Sequence, residues 1–409
     1  MKFNRCGLDI AKQVFQVHGV NEHGVVKGRK TLPRAKVLEF FAQLPSCHVG
    51  IEACGSSHYW ARELSKLGHT VKLMATQYVM AYRKRGKNDA NDAEAICEAV
   101  GRPNMRFVAI KSEEQQAVLM VHRARTLTMA NRTAQVNQVR GLLGEFGLVV
   151  PKGVARLRRE LPGILEDAEN GLPVLAREVL AGLLEQLRES DVRITAYDRR
   201  IRALAEASEP ARRLMRMESI GPQTATALVA TVGDPHVFKN GRGFAAWLGI
   251  TPRQHSSGGK ERLGQITRQG DSYLRTLLVH GARAHLRVID KKTDAKSQWA
   301  RRLKERRHAN VAAVALAAKH ARIAWAILAH GTEYRPGGPQ SDPESRSEDA
   351  LATQGESIYR YKPSPISSEC TLKCWSERRD LNSGPLAPHG IPRCNSAQRF
   401  ATRCIRQSL

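Results

Sequence analysis

Over its first hundred residues the chain alternates short β-type runs with stretches of helical spacing. That alternation calls for a sheet covered by helices and excludes an all-helical domain. Extended runs lie at residues 3–10, 14–20, 25–31, 48–53 and 70–74. Between them, residues 34–43 and 58–67 carry apolar side chains at helical spacing, and a further helix begins near Asp89.

Three strands, then helix, strand, helix, strand and helix, is an order that suits a ribonuclease H-like sheet. A doubly wound dinucleotide fold would need a glycine fingerprint between the first strand and its helix, and the sequence has none there. From residue 112 to 207 strand signals vanish. Leu180, Leu187, Ile194 and Ile201 recur every seventh residue, predicting a long helix with residues 112–146 as its antiparallel partner. Residues 210–331 read as helical again but are richer in glycine. There the segment MESIGPQTATALVATVGD (217–234) resembles a helix-hairpin-helix turn with backbone N–H groups free to face a phosphate. It reads equally as a tight turn between packed helices. The expected organisation is α/β plus all-α: a sheet domain at 1–110, a helical coiled-coil hairpin at 111–208, a helical domain at 209–331, and a disordered tail at 332–409. The tail holds 8 of the 18 prolines from residue 334 onward.

Lys and Arg number 65 against 39 Asp and Glu, a formal charge of +26. An excess of this size favours a polyanion, because each cation placed on a phosphate releases condensed counterions. No run of about 18 uninterrupted apolar residues occurs and the N-terminus lacks a secretory pattern, so a cytoplasmic protein with no membrane partner is expected. Cys6, Cys47, Cys54 and Cys97 read as reduced thiols. Cys370, Cys374, Cys394 and Cys404 fit no zinc-finger or ribbon spacing.

Two acids interrupt apolar strands. In FNRCGLDIA, period-2 alternation puts Gly7, Asp9 and Ala11 on one face; in HVGIEAC it puts Gly50, Glu52 and Cys54 together. Such acids are costly unless something positive meets them. KNDANDAEAI adds Asp89 and Asp92, three apart and so on one side of a helix or its first turn, with Asn91 and Glu94 as candidates to start that helix. Each acid alone reads as a cap or an edge residue. Together, Asp9, Glu52, Asp89 and Asp92 form an oxygen donor set suited to Mg²⁺, of the kind that clamps the oxygens of a phosphodiester.

A second constellation lies at TPRQHSSGGKERLGQITRQGDSYLR. Ser256 and Ser257 precede two glycines, amid Arg253, Lys260, Arg262, Arg268 and Arg275. Glycine allows close backbone approach and guanidinium groups match phosphate, so these five cations are candidate nucleic-acid contacts. A serine hydroxyl here could attack phosphorus, although a bare Ser-Ser-Gly-Gly is also an ordinary flexible loop.

Six blocks keep their order: GLDIAK, GIEACGSSHYWA, KNDANDAEAI, SIGPQTATALVATVGD, FAAWLGITPRQHSSGGKERLGQITRQGDSYLRTLLV and NVAAVALAAKHARIAWAIL. Through them the chain resembles the DEDD transposases of the insertion-sequence family numbered one hundred and ten, eleven-eleven subgroup, over residues 1–331. The resemblance implies a Holliday-junction-resolvase-like domain joined to a serine transposase domain, with Asp9, Glu52, Asp89 and Asp92 binding metal. Ser257 would be the nucleophile, since it directly precedes the glycine, with Ser256 in reserve. It further implies a homo-oligomer, dimer or tetramer, that joins donor and target DNA without duplicating the target, guided by a bridge RNA. The tail has no counterpart in this pattern. The rival readings are a metal-dependent nuclease or junction resolvase using the acids alone, and a non-enzymatic nucleic-acid-binding protein.

Overall fold

The computed structural model describes residues 2–335 apart from Arg85 and Lys87. Its first part contains β1 (Arg5–Ile10), β2 (Val14–Val20), β3 (Val26–Pro33), α1 (Val37–Ala42), β4 (His48–Glu52), α2 (Ser57–Lys66), β5 (Thr70–Met74), α3 (Thr76–Val79), α4 (Asp89–Val100) and β6 (Phe107–Val108). The strands form one sheet in the order β3-β2-β1-β4-β5-β6. β1, β4 and β5 run parallel at its centre, while the pairs β1–β2, β2–β3 and β5–β6 are antiparallel. A two-residue edge strand such as β6 carries too little periodicity to be read from sequence.

One face of the sheet buries Cys6, Leu8, Val49 and Ile51 with Phe15, Trp60, Leu64 and Phe41. On the other face β1 has Gly7, and a methyl there would stand 2.1 Å from the Ala93 carbonyl oxygen. At Gly50 it would meet the Val100 side chain at 2.8 Å. Gly7 pairs with Gly50 in the parallel register, so the two glycines open the seat in which α4 lies. Alternation puts Asp9 and Glu52 on that same face, beside the helix that begins with Asp89 and Asp92.

Three helices follow: α5 (Glu113–Gly144), α6 (Val154–Glu166) and α7 (Val174–Ala207). Ser112 and Gln115 start α5 with a reciprocal capping box. α5 and α7 are antiparallel, as the pairs Arg125–Asp198, Arg132–Asp191 and Gln135–Gln186 require. Leu180, Leu187, Ile194 and Ile201 are all buried, as their spacing predicts. The unexpected α6 packs Leu157 and Leu161 against Val139, Leu143 and Leu184.

The last part comprises α8 (Glu209–Met215), α9 (Pro222–Val232), α10 (Gly241–Trp247), β7 (Pro252–Gln254), β8 (Leu263–Ile266), α11 (Ser272–Arg287), α12 (Ala295–Arg306) and α13 (Ala309–His330). By length and composition α13 could cross a membrane. Here its Ala313, Leu316, Ala317 and Ala324 are buried in a core shared with Phe244, Leu274 and Leu278. Packing continues past the expected domain end at 331. Tyr334 accepts a hydrogen bond from Lys296 Nζ at 2.9 Å, and Glu333 pairs with Arg216. The expected tail from residue 336 on, with its four cysteines, lies outside the described residues.

Candidate active site

Asp9 lies next to the end of β1 after the buried Cys6, Gly7 and Leu8, and burial is the first reason its carboxyl is pushed up to about 6. The next causes are the negative charges of Asp89, Asp92 and Glu52, while the Ile10 backbone N–H pulls slightly the other way. The four acids therefore share one electrostatic neighbourhood, drawn from β1, β4 and the first turn of α4. Two are also held by local partners. Thr76 Oγ1 donates to Glu52 Oε1 at 2.6 Å, and Arg83 Nη1 donates to Asp92 Oδ1 at 3.2 Å. Among the described residues no three such side chains already stand close enough to hold one ion. Four mutually repelling acids, two of them turned toward other partners, account for that spacing.

The start of α4 differs from the expectation. Its cap is Asn88, whose Oδ1 accepts from the Asn91 N–H at 2.7 Å. Asn91 Nδ2 instead donates back to the Gly86 carbonyl, and Glu94 is taken by Arg29 and Lys84. Of the four early cysteines, Cys6, Cys47 and Cys97 are buried and Cys54 is exposed, all free thiols.

The serines lie on a β-hairpin rather than in a flexible loop. β7 pairs with β8, and the Ser257 carbonyl accepts from the Lys260 N–H at 3.1 Å. Gly258 and Gly259 have φ of +56° and +74°, the signs a mirror-image two-residue turn needs and L side chains resist. The Ser256 hydroxyl accepts from the Arg262 N–H at 3.1 Å. Ser257 is thus tied through its backbone, whereas Ser256 lends its oxygen to the hairpin. Gly-Gly between two short runs was the available sequence signal.

The five expected phosphate cations separate. Arg253, Lys260 and Arg262 lie on the exposed ribbon. Arg253 Nη2 reaches the Thr267 carbonyl at 3.3 Å, and Arg268 is exposed with a positive φ of 57°. Arg275 Nη1 donates to the Leu248 and Gln269 carbonyls, each at 3.0 Å. It fastens the hairpin's base to α10, helped by Gly249 and Gly270, where a methyl would fall 2.0 Å and 1.9 Å from backbone oxygens.

A buried network missed by sequence reasoning joins this region to α5. Thr226 Oγ1 donates to Pro222 O at 2.7 Å and accepts from His122 Nε2 at 3.0 Å. His122 Nδ1 then accepts from Tyr273 OH at 2.9 Å, and Tyr273 accepts from Gln223 Nε2. Burial, then Arg125, pushes His122 down to about 4, so the ring is neutral. The segment 217–234 does turn between two helices, and α9 packs against α5 and α7.

Two family models match the chain: one described as a DEDD transposase of the IS110 type over residues 6–147, and one described as the transposase IS116/IS110/IS902 family over residues 211–299. A probable family 20 transposase of Pseudomonas aeruginosa is 53% identical over 338 residues, 82% of this chain and the whole of that relative. The transposase for insertion sequence element IS1111A of Coxiella burnetii is 43% identical over 81% of this chain and 91% of its own length. That for IS1328 of Yersinia enterocolitica is 38% identical over 80% and 97%. With a mixed α/β sheet domain, a following helical region and matches to both halves, the chain belongs to the IS110/IS1111 family of DEDD transposases and is an insertion-sequence transposase.

Proposed function

We propose that this transposase cuts and rejoins DNA strands through a phosphoserine intermediate, with Ser257 as nucleophile and Asp9, Glu52, Asp89 and Asp92 holding Mg²⁺. The observation that supports the reading is the raised Asp9 carboxyl, whose causes after burial are the negative charges of Asp89, Asp92 and Glu52. Hard oxygen donors of this kind fit Mg²⁺. Bound there, the ion supplies Lewis-acid polarisation of a phosphate and offsets the charge that develops on it.

The chain's own groups do the rest. The Ser257 Oγ–P bond forms as one phosphodiester P–O bond breaks, and the departing DNA oxygen takes up a proton. Rejoining reverses the step with a different DNA hydroxyl, so the linkage energy is kept and no nucleotide cofactor is required. Arg253, Lys260 and Arg262 flank the turn and neutralise the strand it approaches. We read the sheet order as ribonuclease H-like, the region 111–208 as a coiled-coil spacer, and the active assembly as a homo-oligomer that pairs acids and serine across subunits. A bridge RNA choosing donor and target DNA completes the proposal. The +26 charge supports a nucleic-acid partner of that size.

Denaturing gels after incubation with a DNA carrying the element's ends test the chemistry. A protein-linked DNA species abolished by Ser257→Ala is expected. Free ends produced equally by that variant would mean a metal-dependent nuclease instead. Sequencing RNA that copurifies with the protein tests the guide; recovery of only random fragments would remove the bridge RNA.

A further inference from the structure

Where the sheet domain meets α5, a group of cations has no part in the serine chemistry. His58 stands in the first turn of α2, six residues beyond Glu52, and Lys111 stands just before α5. The Lys111 backbone N–H donates to His58 Nδ1 at 3.2 Å. On a neutral ring the proton must then sit on Nε2. Burial, followed by the charges of Lys111, Arg62 and Arg123, pushes His58 down to about 4, so the ring is neutral and that tautomer holds.

His58 Nε2 faces Lys111 Nζ at 3.4 Å. An imidazole N–H and an ammonium are both donors, so neither can accept from the other. Arg62 does not fill the gap: its Nη1 is committed to the Lys111 carbonyl at 2.7 Å and Gln116 Oε1 at 2.6 Å, and its Nε lies 3.8 Å from Glu113. Burial holds the Lys111 ammonium below its usual range, with Asp271 working against that shift and Arg123 adding to it. Both His58 and Lys111 remain partly exposed, so a ligand can reach them. Donors crowded together in positive surroundings want an anion with more than one lone pair.

We propose that His58 Nε2 and Lys111 Nζ form a phosphate seat, together taking a phosphodiester oxygen of bound DNA. It rests on the reading that this transposase handles DNA, and it does not depend on the serine step.

The test is binding of the full chain to a fluorescently labelled 30-base-pair DNA duplex across a salt series in EDTA, where no strand exchange occurs. Lys111→Met is expected to weaken binding about 5- to 10-fold at 0.1 M salt and to flatten the log Kd against log salt slope by about 0.9, the value of one phosphate contact. Lys111→Arg keeps the slope, and His58→Gln weakens binding by a smaller factor. An unchanged slope and affinity in a folded Lys111→Met protein overturns the proposal, as does a loss confined to an RNA duplex of equal length. Should Lys111→Met melt the fold, acylation of the wild-type amines answers instead. DNA should protect Lys111 several-fold, and equal labelling with and without DNA overturns the seat. Failure of the phosphoserine reading leaves these binding slopes as they are, so the two ideas fall separately.

Discussion

Asp9 and Glu52 sit on strands covered so closely by α4 that a methyl at Gly7 would stand 2.1 Å from a backbone oxygen, whereas every residue from 252 to 262 around Ser257 is exposed. The acids are placed by sheet register and helix packing. The serine is placed by a short ribbon with a Gly-Gly turn. In packed surroundings charges feel one another strongly, and Asp9 shifts accordingly. On the ribbon the cations stay solvated until a partner arrives. Charge follows the same division. Residues 209–331 hold 22 Lys and Arg against 8 Asp and Glu, while the helical stretch 111–208 holds 15 against 13. The acids thus sit in packed surroundings and the serine on an exposed, basic ribbon.

The sharpest test of that contrast is chemical. Asp9→Ala and Ser257→Ala should each lower strand exchange by about 10³-fold or more, since the proposed chemistry gives each a part in the transition state. Ser256→Ala should cost only the acceptor of the Arg262 N–H, about 1 kcal/mol of local stability, and leave exchange within tenfold. Comparable loss from Ser256→Ala alone would reassign the nucleophile.

Glycine substitutions should separate the two regions next. Gly7→Val forces the seat of α4 open and should destabilise the protein by about 3 kcal/mol in denaturant titrations. Gly259→Ala meets no atom within 4 Å and pays only for its positive φ, about 1 kcal/mol. Equal costs would show the hairpin to be as tightly held as the sheet.

The link between the regions should be sensitive to acid. His122 is pushed down to about 4 in the folded protein, so folding favours its neutral form. Its contribution is fully present above about pH 6.5 and is lost as pH falls toward 4, roughly 3 kcal/mol in all. His122→Gln should flatten that part of the stability profile. Asp9 behaves in the opposite sense: its carboxyl takes up a proton near pH 6 and then competes with a cation. Mn²⁺ uptake, used as a probe for Mg²⁺, should weaken about tenfold between pH 7 and pH 5, and much less in Asp9→Asn. The smallest effect expected is none at all. Ending the chain after Arg335 keeps the docked Tyr334 and should leave strand exchange unchanged, as a relative matched over its whole length by 82% of this chain suggests.

Much of the sheet domain was legible because its strands obey a period of two and its helices a period of 3.6. Five strands, the antiparallel helix pair and the heptad positions of α7 all followed from spacing. The hairpin at Ser257 did not, because two strands of three and four residues have too few positions to show a period; only its Gly-Gly turn announces them. α6 was hidden for a different reason. Its helical identity depends on Leu157 and Leu161 finding Leu184 and Val139, contacts distant in the chain.

Residue type and spacing by themselves fixed which acids lie on which face of which element, because backbone geometry alone sets those periods. They also fixed which glycines mark turns and where positive charge accumulates. Only the tertiary structure decided that Asn88 rather than Asn91 caps α4, that Arg275 serves the fold, and that the side chains of His58 and Lys111 meet. Those outcomes depend on which atoms remain unpaired after folding, and hydrogen-bond partners brought together across 27 or 53 residues leave no trace in local sequence.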